Sequence, residues 1–303
     1  MTASNRDTII ELKDVSKRFG NTPVLRNISW HVPQGHIMGL LGLNGSGKTT
    51  LLRLLMGIVR PSDGTATVAH RDLSTQSPGI RAVVGYVAEH STIPRAFTAD
   101  RLERVGQRVF PLWDAVQYEA SLQRFHIAPN KPMYVMSQGQ RTLTALAFAL
   151  AHHAEILLLD EPTNGLDPLI RREFLANLIE EAYDQHRTVI LSSHRLEEVS
   201  YVAQDVAVLH GGTLVVAGAL DDLLQQDHMV TLRMGSAVGD LETLPGAGTI
   251  LRTGPQATLY IHHFDRYAQD IADRLRQWQV TEWTHHPVSL EQLFQERVGD
   301  HVG

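Results

Sequence analysis

The sequence predicts an α/β fold built on a parallel sheet with helices on both faces. Three observations point there. Short, continuously apolar runs such as Ile37–Leu43 and Ile156–Leu159 read as strands buried on both sides. Segments with helical spacing of apolar residues alternate with them. The run at 37–43 passes directly into a glycine-rich turn and then a helix, as a βα unit requires.

In order along the chain, Thr8–Leu12 and Trp30–Val32 read as strands around a turn at Gly20–Pro23. Ile37–Leu43 is the first buried strand, and leucines at helical spacing make Thr49–Met56 a helix. Thr65–Ala69 and Ala82–Val87 are short strands. From Thr98 to Phe125 charged and apolar residues alternate at helical spacing, and Pro129 and Pro132 close the stretch. A helical insertion over about 90–155 therefore includes it and a second helix from Gln138 to about His152. Strand Ile156–Leu159, helix Leu169–Tyr183, strand Thr188–Leu191 and helix Leu196–Val202 continue the alternation. Val206–His210 and Thr213–Ala217, joined by Gly211-Gly212, form a hairpin. After Leu224 the texture shifts to alternating strands (Val230–Met234, Ile250–Arg252, Ala257–His262), an amphipathic helix (Asp265–Trp278) and a short helix (Ser289–Gln295). Residues 1–225 are expected to form one domain and 226–303 a small α/β accessory domain.

Bulk properties narrow the function. The 303 residues carry a net charge of −6, so no basic field draws the chain to nucleic acid or anionic lipid. Cysteine is absent, which excludes disulfides, thiolate catalysis and Cys-ligated zinc. Met1–Asp7 is polar without a leader pattern, and no apolar run approaches the ~18 residues that span a bilayer. A membrane role has to pass through a partner.

The residues Gly42-Leu43-Asn44-Gly45-Ser46-Gly47-Lys48-Thr49, followed by Thr50, match the phosphate-binding P-loop pattern in its strand–loop–helix context. Glycines let successive N–H groups turn toward phosphate oxygens, and the helix adds its positive end. Lys48 would neutralise the β- and γ-phosphates, and the Thr49 hydroxyl would ligate Mg²⁺. A chance match in a chain of this length arises on the order of once in a hundred. The strand at 156–159 ends in Asp160-Glu161. Paired carboxylates at a buried strand tip need a nearby cation or a chemical role. Asp160 suits a Mg²⁺ contact, and Glu161 could act as general base on a water. The plain alternative makes Glu161 the cap of the next turn.

Met136-Ser137-Gln138-Gly139-Gln140 opens a helix ahead of the acid pair and resembles the LSGGQ signature of the ABC ATPases. Pro162-Thr163-Asn164-Gly165-Leu166-Asp167-Pro168 is similar to that family's D-loop, and Ser192-Ser193-His194 to its switch histidine. The resemblance covers about 8–225. It implies an ATP-binding and ATP-hydrolysing cassette that works as a homodimer or heterodimer. Ser137, Gln138, Gly139 and Gln140 would meet the ATP of the partner, Asp167 would contact across the interface, and His194 would bind the γ-phosphate. Phe19 stands where the family stacks an aromatic on adenine, with a core phenylalanine as the rival reading. Two departures matter. Glu89, in Gly85-Tyr86-Val87-Ala88-Glu89, replaces the usual glutamine that touches Mg²⁺ and as a carboxylate would still ligate it beside Thr49 and Asp160. Gln138 replaces a glycine of the signature between Ser137 and Gly139, which keep the anion site. Glu89, together with Leu112-Trp113-Asp114 and the tail Ser289–Phe294, is similar to ATPases of ABC-2-type exporters and multidrug or bacitracin-type efflux systems.

The resemblance thus implies an exporter subunit on the inner face of the cell membrane, cytoplasmic and held there by transmembrane permease subunits. The stretch Glu89–Phe125 would supply the docking groove for the permease. The rival is a non-transport ABC ATPase acting on nucleic acid or ribosomes, which usually needs a long coiled-coil insert or two cassettes in one chain. The C-terminal segment shows no chemical motif. His262-His263 and His285-His286 lie on strands, where neighbours face opposite ways, and no acidic or cysteine partner is spaced with them. They and Trp278 and Trp283 are read as structural.

Overall fold

β1 (Thr8–Phe19) and β2 (Thr22–Pro33) pair antiparallel over far more residues than their apolar cores suggested, because polar side chains occupy the outward positions. The structure, a computed structural model, describes residues 8–235 and 238–299. The chain divides into two compact units, Met1–Ala217 and Gly218–Gly303.

In the larger unit, β3 (Ile37–Leu41) leads into α1 (Lys48–Leu55). β4 (Asp63–Val68) and β5 (Arg71–Asp72) complete a four-stranded sheet of order β2-β1-β4-β5. A short helix, α2 (Ser77–Arg81), was hidden in the sequence by Pro78 and Gly79, and it precedes β6 (Val84–Val87). The expected insertion contains α3 (Ala99–Val109) and α4 (Ala115–Arg124), capped by the side chains of Thr98 and Asp114. Then come α5 (Gln138–Leu150), β7 (Ile156–Asp160), α6 (Pro168–Gln185), β8 (Thr188–Ser193), α7 (Leu196–Val202), β9 (Asp205–His210) and β10 (Thr213–Ala219).

Six strands form the central sheet in the order β10-β9-β3-β8-β7-β6, and the pairs β3–β8, β3–β9, β7–β8 and β6–β7 are parallel. Every residue of β3, β7 and β8 is buried. Alternation splits β7 between two cores. Leu157 and Leu159 join Tyr118, Leu146 and Leu178, whereas Ile156 and Leu158 join Leu51 and Leu55 of α1 with Ile10 and Trp30 of the antiparallel sheet. Parallel pairing brings the carboxyl ends of β3, β7 and β8 to one edge, where open α/β sheets bind ligands.

The smaller unit contains α8 (Leu220–Gln226), β11 (His228–Arg233), β12 (Ala247–Thr253), β13 (Gln256–Ile261), α9 (Phe264–Gln277), β14 (Trp283–Pro287) and α10 (Leu290–Gly299). Its strands form an antiparallel sheet of order β12-β13-β11-β14, onto which α9 packs Phe264, Ile271 and Leu275. The sequence reading missed α8, which buries only Leu220, and placed His285-His286 on a strand without giving the bounds of the edge strand β14, whose residues 284–287 are exposed.

The fold also corrects the reading of His262, which gains two acidic partners from distant segments. Its Nε2 lies 3.1 Å from Glu296 Oε1 and its Nδ1 3.6 Å from Asp227 Oδ2. Tyr260 donates to Asp227 at 2.7 Å and Arg297 pairs with it at 3.1 Å, so β13, α10 and the turn before β11 are tied together. The facing carboxylate of Asp227 first, and the bond to Glu296 next, raise the His262 pKa to about 9. Burial opposes ionisation of Asp227, but the nearby His262 ring and the bonds from the His263 N–H and Tyr260 prevail and hold it at about 2. Because the folded His262 titrates above its ordinary value of 6.5, its contribution is complete below pH 6.5 and is lost as pH rises through 9. Asp227 contributes above 3.8 and loses its contribution as pH falls through 2. Amide protection in β13 and α10, with the intrinsic pH dependence of exchange divided out, is therefore expected to be highest between those limits and to fall toward pH 9, and His262→Gln should flatten that alkaline fall.

Candidate functional site

The carboxyl end of β3 enters the glycine-rich loop. Gly47 caps α1 with φ 109°, and a Cβ there would stand 2.9 Å from Leu25. At Gly42 a Cβ would collide with the Leu209 carbonyl, so the close turn demands glycine at both positions. Lys48 is buried, with Nζ donating to the Gly42 carbonyl at 2.7 Å and lying 3.1 Å from Glu161 Oε1. The buried Ser46 hydroxyl has no hydrogen-bond partner among the described residues. Leu43 to Thr50, with Val24, Glu89 and Glu161, line a cleft of about 430 Å³. A cation, an unpartnered hydroxyl and the first N–H groups of α1 converge there, which suits a polyphosphate.

Asp160, the last residue of β7, is held on both oxygens. Its Oδ1 accepts from Thr49 at 3.1 Å and from Ser192 at 3.0 Å, and its Oδ2 accepts from Tyr86 at 3.1 Å. Burial first, then the Asp160 charge, raises the Tyr86 pKa far above its usual value, so this phenol stays a donor. Adjacent hydroxyl and carboxylate oxygens fit Mg²⁺, a hard cation that takes one or two carboxylates plus phosphate oxygens and water. Thr49 and Asp160 would hold it.

Glu161 occupies the left-handed region, φ 47°, with its N–H donating to the Ser192 hydroxyl at 3.0 Å and the Ser192 carbonyl at 3.2 Å. Its carboxylate spans two cationic or donor groups. Oε1 faces Lys48, and Oε2 accepts from the His194 Nδ1–H at 2.8 Å and the His194 N–H at 3.3 Å. The turn-cap reading of Glu161 is met by its backbone carbonyl, which accepts from the Asn164 N–H at 3.2 Å, while the carboxylate stays in the cleft.

Glu89 lines the same cleft and accepts from the Asn164 side-chain amide at 3.1 Å. Ser137 caps α5 in a reciprocal capping box with Gln140, with bonds of 3.1 and 3.2 Å. Gln138 donates to the Asn164 carbonyl at 2.9 Å, and Gly139 packs toward Leu166. None of residues 137–140 lines the cleft around the chain's own loop. Asp167 caps α6 through bonds from Leu169 and Ile170. Phe19 is 52% exposed with Lys17 Nζ 5.0 Å from its ring centre; it is neither a core residue nor part of the cleft wall.

Sequence reading missed four residues of this network: Tyr86, Asn164, Ser192 and Glu198. Glu198 is buried and accepts from Thr163 at 2.7 Å and Ser193 at 3.0 Å, while Arg171 Nε approaches its other oxygen to 3.3 Å. A signal existed: Glu198 precedes Val202 by one helical turn on the buried side of α7, and an acid there needs partners. Tyr86, Asn164 and Ser192 act through tertiary contacts that spacing does not announce. A second, mainly apolar groove of about 730 Å³ is bounded by Met56, Ile58, Val109, Phe110, Phe148 and His152, and it also reaches Tyr86, Glu89 and Asp160. His152 stacks on Phe110 at 4.2 Å, and burial lowers its pKa, which keeps the ring neutral.

Residues 25–164 match the family model described as ABC transporter. The Nod factor export ATP-binding protein I of Cupriavidus pinatubonensis is 30% identical, covering 96% of this chain and 91% of that protein. The ABC transporter ATP-binding protein YtrB of Bacillus subtilis is 26% identical over 96% of this chain and 98% of its own length. A solved structure of an ATP-binding subunit of an ABC transporter superposes with a TM-score of 0.67 at 25% identity, covering 72% of this chain and 93% of that one.

Removing Glu198 would strip Thr163 and Ser193 of a shared buried acceptor and Arg171 of its countercharge. Glu198→Ala should therefore cost roughly 3 kcal/mol, read as a lowered denaturant midpoint for the larger unit. An unchanged midpoint would show that the network is dispensable.

Proposed function

Because the chain belongs to the ABC transporter ATP-binding family, we propose that it hydrolyses ATP as the motor subunit of an exporter, paired with a second cassette and seated on separate transmembrane subunits. The observation that carries this reading is the Glu161 carboxylate, suspended between Lys48 and His194 at the phosphate-binding cleft.

Each group has its own part in the chemistry. Lys48 exchanges its carbonyl and Glu161 partners for the β- and γ-phosphate oxygens of ATP, with Ser46 and the loop N–H groups completing the cradle. Released from Lys48, Glu161 accepts the proton of the attacking water while His194 orients it and bonds the γ-phosphate. Thr49 and Asp160, with Glu89 nearby, would hold Mg²⁺, which would supply charge neutralisation on the phosphate oxygens. The exposed ring of Phe19 stacks on adenine.

Pairing of two cassettes is supported by the capped tip of α5. Ser137 accepts from Gln140, which leaves its own proton to donate to an anion, and this tip lies outside the chain's own cleft. It would complete the site of the partner cassette, with Asp167 contacting across the interface. The partner is a second copy or a related chain. Membrane attachment is assigned to the apolar groove, where a cytoplasmic helix of the permease would dock. Among the described residues no helix is long and apolar enough to cross a membrane. The chain would thus sit on the inner face of the cell membrane, held by its partner.

Glu161→Gln is expected to lower ATP turnover by about 10²- to 10⁴-fold while retaining ATP binding and enriching ATP-bound dimers by size-exclusion analysis. Wild-type turnover in that variant would remove Glu161 from the base role. Lys48→Ala should weaken ATP affinity by at least about tenfold in equilibrium titration, and unchanged affinity would contradict the cradle.

A further inference from the structure

The two positions at which this chain departs from the ABC pattern, Glu89 and Gln138, meet at one residue. Asn164 donates its side-chain amide to Glu89 Oε1 at 3.1 Å. Its carbonyl accepts from Gln138 Nε2 at 2.9 Å. Its N–H donates to the Glu161 carbonyl at 3.2 Å. Each polar group of Asn164 that bonds is therefore committed to a different part of the site.

Both departures suit this junction. A carboxylate at 89 makes the bond from Asn164 charge-assisted, which is stronger than an amide acceptor allows. A glycine at 138 would leave the Asn164 carbonyl without that donor. Gly165 is shaped to match: its φ is +73°, and a Cβ there would stand 2.9 Å from the Gln138 amide oxygen. Glu89 itself belongs to both the phosphate cleft and the apolar groove.

We infer that Asn164 is a positioning residue that joins Glu89 to Gln138, so that the cleft carboxylate and the tip of α5 move as one unit. This rests on the proposed ATPase function. Displacement of Glu89 from the groove side pulls the Asn164 amide, and the 164–165 backbone carries the pull to the signature tip through Gln138. The glutamine that stands in place of a glycine is on this view the receiving end of the linkage.

A donor–acceptor exchange tests it in the full chain. Asn164→Asp sets a carboxylate against Glu89 and should lower kcat by about tenfold or more. Adding Glu89→Gln supplies an amide that donates to the carboxylate introduced at position 164, so the double variant should return to within about threefold of Glu89→Gln alone. Loss of a merely structural asparagine would not be repaired by that exchange. Gln138→Ala should lower kcat more in the wild-type background than in the Asn164→Asp background, and equal losses in both would overturn the link to the tip. If Asn164→Asp does not fold, Asn164→Ala with Glu89→Ala serves. The linkage requires the double variant to be no slower than the slower single, and multiplied losses overturn it. ATP hydrolysis by the wild type with strictly additive variants refutes the linkage and leaves the ATPase reading standing. Absence of hydrolysis by the wild type overturns both.

Discussion

Lys48 is enclosed at the base of its loop with 7% of its side chain exposed, and an ammonium in such a position has to be paired. Its pairing sets the rest of the site. The Gly42 carbonyl accepts one hydrogen bond and Glu161 supplies the countercharge, and Glu161 is itself fastened to His194. A triphosphate entering the cleft competes for the same cation that restrains the proposed base. On the proposed function, binding and activation would be two sides of a single exchange: the ligand that takes Lys48 would be the ligand that frees Glu161 to act on it.

The sheet makes this exchange possible. Parallel strands buried on both faces deliver the loop after β3, the acids at the end of β7 and the serines that close β8 to one edge. Within β8 the alternation of faces gives adjacent serines separate duties. Ser192 serves Asp160 and the Glu161 N–H, while Ser193 turns to Glu198. Two hydrogen-bond networks are served by two consecutive hydroxyls.

Much of this was legible in the sequence alone. The loop at 42–49, the acids at 160–161, Ser137 at a helix start and His194 beyond a strand are local features, written in residue types at fixed spacing. Ser137, Lys48 and Glu161 could be named because each belongs to a contiguous run. Tyr86 and Asn164 could not, since a tyrosine within a short strand or an asparagine in a turn gains meaning only from what the fold sets beside it. The smaller unit was harder for the same reason. α8 and β14 bury too little to leave a periodic trace, and the acids that flank His262 come from positions 227 and 296. Spacing arguments reach along the chain, and those partners lie across it.

Glu161 also restricts what the chain can tolerate at that position. A residue held at φ 47° must accept a backbone shape that costs ordinary side chains roughly 1–2 kcal/mol and β-branched ones more. Valine or threonine there would forfeit the carboxylate and resist the bend as well, confounding two injuries in one replacement. Asparagine and glycine suit the bend without the chemistry. The mutational spectrum at 161 is therefore narrowed twice over, by backbone geometry and by chemistry, and the two constraints are separable by the choice of replacement.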